Sequence, residues 1–302
     1  MTSIDTPRNV SAGIGWMVLT GLLFVCVTCI VRYLGSDMPA IEAAFIRYAI
    51  GLAIVSPVLP RLLRKLPEKD VMKLYVVRGL VHGIAVMLWF YAMARIPIAE
   101  VTAIGYVAPI FVTIGAALFL GERLHLRRIA GVVVGFIGTL IIIRPGFEDV
   151  NIGQLAQLTA APLFAASFIL AKKLTNRVDP GVIVFMLSLF CTMVLLPGAV
   201  LQWRTPTLEE VFWLGLTALI ATTGHYTLTR AIGAAPITVT QPISFLQLVW
   251  AAILGVFLFG EALNFYVILG GALIITAVTY ISHREALVAR SQMTPPPPAT
   301  KF

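Results

Sequence analysis

Charge is scarce in this sequence. Asp, Glu, Lys and Arg make up 12% of its 302 residues, about half of the roughly 25% usual in soluble domains. With 59% hydrophobic residues and a mean hydropathy of +0.94, too few polar side chains remain to cover a water-exposed surface, which excludes a soluble enzyme. Cysteine is rarer still. Of the three, Cys26 and Cys29 have C-x-x-C spacing, but they lie in an apolar run without a neighbouring βαβ pattern and read as inert thiols. No extracellular disulfide framework can be built from them. There is no phosphate-binding loop, no cluster with metal-ligand spacing and no nucleophile triad, so no metal, cofactor or hydrolytic chemistry is expected. Acidic residues are outnumbered, 14 against 22 Lys and Arg. In a soluble chain that excess would suggest nucleic acid; here its distribution decides.

What is there is apolar length. A membrane-spanning helix takes about 20 apolar residues. Runs bounded by charged or Gly/Pro-containing turns give ten candidate spans at 12–33, 39–59, 74–94, 97–119, 128–144, 153–172, 181–202, 210–231, 236–259 and 263–282. The loops are short and leave no room for a soluble domain. The first run is too long for a signal-peptide core and is read as retained. Residues 1–11 form a polar arm, and residues 283–302, with Pro295 to Pro298, are expected to be a disordered tail.

Alternate segments hold Arg61, Arg64, Lys65, Lys69 and Lys73, then Arg123, Arg127 and Arg128, then Lys172, Lys173 and Arg177, with Arg8, Arg230, Arg284, Arg290 and Lys301 on the same side. The other set holds only Arg95, Arg144 and Arg204. Lys and Arg concentrate on the cytoplasmic side. Both termini are therefore expected in the cytoplasm, and the basic balance reports topology, not nucleic acid.

The chain also repeats itself. A shift of 139 residues places Ala92 on Ala231, Pro97 on Pro236, Ile104 on Ile243, Gly121-Glu122 on Gly260-Glu261 and Gly131 on Gly270; a shift of 140 places Leu23-Phe24 on Leu163-Phe164 and Pro57 on Pro197. Each unit holds five spans, and an odd number inverts the second copy relative to the first. Inverted repeats of this kind place a substrate site near the bilayer midplane between the halves.

The stretch Trp89 to Pro145, WFYAMARIPIAEVTAIGYVAPIFVTIGAALFLGERLHLRRIAGVVVGFIGTLIIIRP, resembles the EamA repeat of the drug/metabolite transporter superfamily. It has a small-residue helix, a turn with proline, a helix with a mid-span proline, Gly-Glu-Arg and a Gly-rich helix. Tyr226 to Tyr280 is similar, with Ala262 where the first copy has Arg123. The resemblance covers nearly the whole chain. It implies an all-α integral membrane protein, a ten-helix inner-membrane carrier built of two inverted EamA repeats, residues 12–144 and 153–282.

Charges inside spans are the first candidates, because a charge at the bilayer centre costs at least about 2.5–3.5 kcal/mol. Glu42 and Arg47 share the second span but lie about 140° apart around it, and Glu42, with His82 and His225, is a candidate for proton coupling or gating. Arg47 is the deeper, facing either a substrate or a structural partner. Arg78 and His82 share a face of the third span. Arg78 either snorkels to the near water or takes part in gating. His82 has a candidate partner in His225 of the eighth span, and a histidine pair either relays protons or packs as neutral rings. Glu100 fits a capping role in the fourth span. Glu122 and Glu261, beside glycines at span ends, are gating or structural candidates.

Pro109 and Pro242 interrupt the fourth and ninth spans and serve as hinge candidates. Near them Thr102, Tyr106, Thr240, Gln241, Ser244 and Gln247 form a polar patch that suits either substrate or helix packing. Trp89 and Tyr91 on the third span, Tyr226 on the eighth and Phe245 on the ninth add rings that would stack on a planar ligand or pack into lipid. Trp16, Trp203 and Trp213 read as interfacial belts.

The resemblance implies secondary transport of a small organic metabolite by alternating access, with protons as a candidate coupling ion. The side chains suit a neutral planar cargo, and the overall pattern is similar to EamA-type riboflavin transporters. Riboflavin uptake is therefore the first expectation, ahead of S-adenosylmethionine uptake or amino-acid export. A channel or an accessory membrane subunit is the alternative class.

Overall fold

A computed structural model of the chain describes residues 10–60, 68–108, 110, 111, 114, 126–144, 149–175, 178–235 and 243–293. The described residues form ten α-helices: α1 Val10–Leu34, α2 Ala40–Val55, α3 Lys69–Met93, α4 Ile98–Gly105, α5 Leu126–Ile143, α6 Ile152–Thr175, α7 Pro180–Leu201, α8 Leu208–Ala234, α9 Leu246–Phe259 and α10 Phe265–Met293. One lies in each expected span. Five segments are long and apolar enough to cross a bilayer, namely Ser11–Leu34, Ala40–Val58, Lys69–Met93, Ile152–Ala171 and Pro180–Leu201, and shorter apolar stretches lie in α5, α9 and α10. The chain is therefore a multi-pass membrane protein.

Local chemistry sets the helix ends. Asp179 accepts a hydrogen bond from the Gly181 N–H at 2.8 Å and Pro180 opens α7, a cap joined to a residue whose fixed φ suits the first turn. Thr207 and Glu210 form a reciprocal capping box at the start of α8. Gly260 ends α9 with φ 62°, and the Glu261 N–H reaches back to the Gly255 carbonyl at 3.1 Å. That reach back over six positions turns the chain through a left-handed residue, which glycine supplies.

Two ends depart from expectation. α3 begins at Lys69, earlier than the apolar run suggests, because Glu68 and Asp70 flank its first turn and favour a helix start. α10 continues to Met293, whereas a disordered tail was expected from 283. The segment Arg284–Met293 is rich in helix formers and holds no proline, so the helix persists past the apolar stretch.

Helix packing follows a pseudo-twofold pattern. α1 packs most extensively on α8, and its repeat counterpart α6 packs comparably on α3; α2 meets α7, and α5 meets α10, each across the axis. The halves are thus interleaved. Their main buried cluster draws on both, including Val27, Tyr48, Phe90, Ile104, Leu187, Ala221 and Ile274. At the α5–α10 crossing, a Cβ on Gly270 would stand 2.4 Å from the Gly138 carbonyl oxygen, and one on Gly138 would stand 2.7 Å from that of Gly270. Only small residues allow backbones this close in a bilayer, where packing replaces the hydrophobic effect.

Candidate functional site

The bundle has a near end, where α1 and α3 start, and a far end, where they finish. About midway between them, rings from four helices converge. His82 on α3 and His225 on α8 stand 5.3 Å apart between ring centroids, at 67°. Phe164 of α6 packs on His82 at 5.3 Å and 73°, and Phe24 of α1 packs on His225 at 5.3 Å and 74°. Trp89 contacts both phenylalanines, at 6.0 and 6.4 Å. Each pair is edge-to-face, the arrangement that sets a positive ring edge against a neighbour's negative face. Sequence reasoning missed Phe24 and Phe164 as site residues. Their signal was present, since the two coincide when the repeats are superposed.

The polar wall of this box lies on α2 and α3. His82 Nδ1 shares a 2.9 Å hydrogen bond with the Ser167 hydroxyl, and Tyr48 packs edge-on against the His82 ring at 6.3 Å. The Arg47 guanidinium lies 3.9 Å over the Tyr48 ring. Arg78 is 7% exposed, so it does not snorkel: α3 extends about two and a half turns beyond it toward the near end. Several buried polar atoms here lack a partner among the described residues: Arg47 Nη1, Arg78 Nε and Nη1, the Tyr48 and Tyr75 hydroxyls and His82 Nε2. Burying a charge without a counter-charge costs several kcal/mol.

Toward the near end a cleft of about 370 Å³ opens between α2, α7 and α8, lined by Ile54, Val58, Pro180, Val184, Thr222, Thr223, Tyr226 and Arg230. That volume falls in the range of about 300–1,000 Å³ occupied by small-molecule sites. Its Thr222 wall continues inward to Gly51, where an added Cβ would stand 3.0 Å from the Thr222 hydroxyl. Arg47 lies one turn deeper on the same helix.

The far end is closed. Glu261 accepts from Arg32 Nε at 3.1 Å and from the Ile98 N–H at 2.9 Å, while Arg32 also donates to the Ala94 carbonyl. Glu42 is fully buried and accepts from the Arg204 N–H at 3.0 Å, and the Arg204 guanidinium pairs with Glu210. The Gln154 amide donates to Glu100, so Glu100 ties α4 to α6 as well as sitting in a first helical turn. Gly255 leaves room for the Glu261 carboxylate, since a Cβ there would lie 2.6 Å from it.

The remaining candidates fall elsewhere. Tyr91 lies under the Arg95 guanidinium at 3.6 Å, at the far end of α3. Tyr226 is 39% exposed, on the cleft. Tyr106 donates to the Ser244 carbonyl at 2.8 Å and packs on Phe245 at 5.0 Å. These three join the breaks in α4 and α9, where Val107 and Leu248 make tighter three-residue bonds to Ile104 and Phe245. Gln247 lies beside Gly21 of α1. Pro109, Glu122, Thr240, Gln241 and Pro242 lie outside the described residues.

Comparison with known proteins gives a consistent frame. The pattern of the EamA-like transporter family matches residues 11–144 and again 151–283. An S-adenosylmethionine uptake transporter of Rickettsia bellii is 28% identical over 93% of this chain and 97% of its own. A riboflavin transporter of Vibrio cholerae is 28% identical over 92% of this chain and 95% of its own, and a riboflavin transporter of Rhizobium johnstonii 29% identical over 92% and 93%. A protein of known crystal structure superposes with a TM-score of 0.59 at 19% identity, covering 94% of this chain and 98% of that one, a likeness of fold alone.

Proposed function

The chain belongs to the EamA-like transporter family, and from that premise we propose that it is a secondary active carrier of ten spans that takes up a planar heterocyclic metabolite across the inner membrane. Riboflavin is the first candidate cargo and S-adenosylmethionine the second, the substrates named for its relatives. The single observation that carries this reading is the ring box of Phe24, His82, Trp89, Phe164 and His225. It stands halfway along the helices and takes side chains from both repeats. Family members work as transporters, not enzymes, and a box between inverted halves is where alternating access holds its cargo.

The distribution of Lys and Arg makes the near end cytoplasmic. The open cleft and the bonded far end then describe an inward-open state, which the Glu261 and Glu42 contacts hold shut toward the periplasm. The membrane potential can supply the work, since one charge crossing 100 mV is worth about 2.3 kcal/mol. His82 and His225 are the pair through which a proton would be coupled. Glu42 stands apart from them and acts at the far-end closure.

Uptake of labelled riboflavin and of labelled S-adenosylmethionine, measured separately in cells lacking their own carriers, tests the reading. Saturable accumulation of one, with counterflow, is expected. Failure of a flavin auxotroph to grow at low vitamin removes riboflavin, and failure of both compounds removes the proposed cargo class. Non-saturating conductance would point to a channel.

A further inference from the structure

We propose that Arg47 and Arg78 form a cationic subsite that binds an oxyanion of the cargo, a carboxylate or a phosphate, beside the ring box. The proposal rests on the carrier reading above and, because riboflavin has no carboxylate or phosphate, narrows its cargo to the second candidate, S-adenosylmethionine, or another heterocycle bearing an acidic group. Both arginines are more than nine-tenths buried, at 4% and 7% exposure, and both keep guanidinium N–H donors without a partner among the described residues. A guanidinium offers its donors in a planar fork that matches a carboxylate or phosphate edge.

Among the described residues no acidic side chain pairs with either arginine. The groups that act electrostatically on Arg78 are Tyr48, Tyr75 and Cys191, and both arginines act on His82 and His225. Arg47 lies over the Tyr48 ring, Tyr48 packs on the His82 ring, and Arg78 shares a face of α3 with His82 one turn away, so both arginines stand at one cluster of neutral side chains. Glu42 shares α2 with Arg47, but it points about 140° away and accepts from the Arg204 backbone. Neither arginine forms an ion pair among the described residues.

The repeat supplies an independent sign. Phe24 and Phe164 coincide on superposing the halves, and each packs on a histidine, so the ring box is nearly symmetric. The charge is not: the positions matching Arg47 and Arg78 hold Leu187 and Thr217. Positive charge therefore sits on one side of the axis only, which suits a cargo with a flat ring and one acidic end. The cleft lies close by, because its Thr222 wall packs against Gly51, one turn from Arg47.

Thermal unfolding of the purified full-length chain in detergent, followed by tryptophan fluorescence, tests the subsite with simple probes. Sodium acetate and sodium phosphate are compared with sodium chloride at equal ionic strength. One or both oxyanions should raise the midpoint of the wild-type protein, since a ligand that binds only the folded state stabilises it by mass action, and the two salts separate carboxylate from phosphate. Arg47→Gln and Arg78→Gln should lose the increment while their midpoints in chloride do not fall. Arg47→Lys and Arg78→Lys keep the charge without the fork and should shrink the increment, which covers a Gln variant that fails to fold. No increment in the wild type, or an equal one in every variant, overturns the proposal.

Competition adds the cargo arm. S-adenosylmethionine should bind at least about tenfold more tightly than its decarboxylated analogue, and the ratio should fall in the Lys variants and approach one in the Gln variants. If neither compound binds while the oxyanion increment stands, the cargo assignment fails and the subsite survives. If both bind with equal affinity, the subsite fails.

Discussion

Glu261→Gln should weaken the closure of the far end by a calculable amount. The carboxylate takes two hydrogen bonds, from Arg32 Nε at 3.1 Å and from the Ile98 N–H at 2.9 Å, and its side chain is 10% exposed against 24% for Arg32. Charge-assisted bonds are worth about 1.5–3 kcal/mol, against about 0.5–1.5 for neutral ones. A neutral amide oxygen can still accept from Ile98, so the change removes the ion pair and about 1–2 kcal/mol in all. At about 1.36 kcal/mol per factor of ten, the ratio of far-end-open to far-end-closed molecules should rise about 5- to 30-fold. Spin labels at Ser36→Cys and Leu263→Cys, both exposed positions, bracket the bond in a background with Cys26, Cys29 and Cys191 replaced by Ser. Double electron–electron resonance should show a second, longer distance that grows in Glu261→Gln. An unchanged distance distribution would refute the idea that this carboxylate holds the end shut.

Three further outcomes follow from the packing. Gly270→Ala places a Cβ 2.4 Å from the Gly138 carbonyl oxygen, an atom that cannot turn aside, so α5 and α10 must separate; overpacking of about 1–3 kcal/mol should lower the thermal midpoint in detergent. Gly51→Leu drives a side chain into the helix contact at Thr222, one turn from Arg47, and should impair cargo uptake at an unchanged expression level, with Gly51→Ala milder because its Cβ stands 3.0 Å from the Thr222 hydroxyl and 4.0 Å from that of Ser188. His82→Gln and His225→Gln should make the uptake that remains insensitive to an uncoupler if this pair carries the proton, and an unaltered uncoupler response in both would exclude it.

Helix positions were legible because they depend on local quantities: apolar length, capping residues and glycine stops, read along the chain. The start of α3 and the extent of α10 differ from expectation because a helix obeys backbone chemistry at its ends and not hydropathy alone. The site was legible in part. His82 and His225 were paired from their matching spans and do meet. Tyr91 was grouped with Trp89 by sequence proximity, yet two residues along a helix turn about 200°, and it joins Arg95 at the far end instead.

By itself the sequence determined that the chain spans a membrane, that it is two copies of one unit, and that very few charges lie within the apolar mass. Those properties are additive or periodic, and a linear reading recovers them. Only the tertiary structure decided that Phe24 and Phe164 complete the ring box, that Arg78 is buried beside it, and that Glu261 bridges α1 to α4. Each depends on how far a helix is rotated about its axis and which neighbour it meets, and interleaved halves bring together residues from 75 to 229 positions apart in sequence.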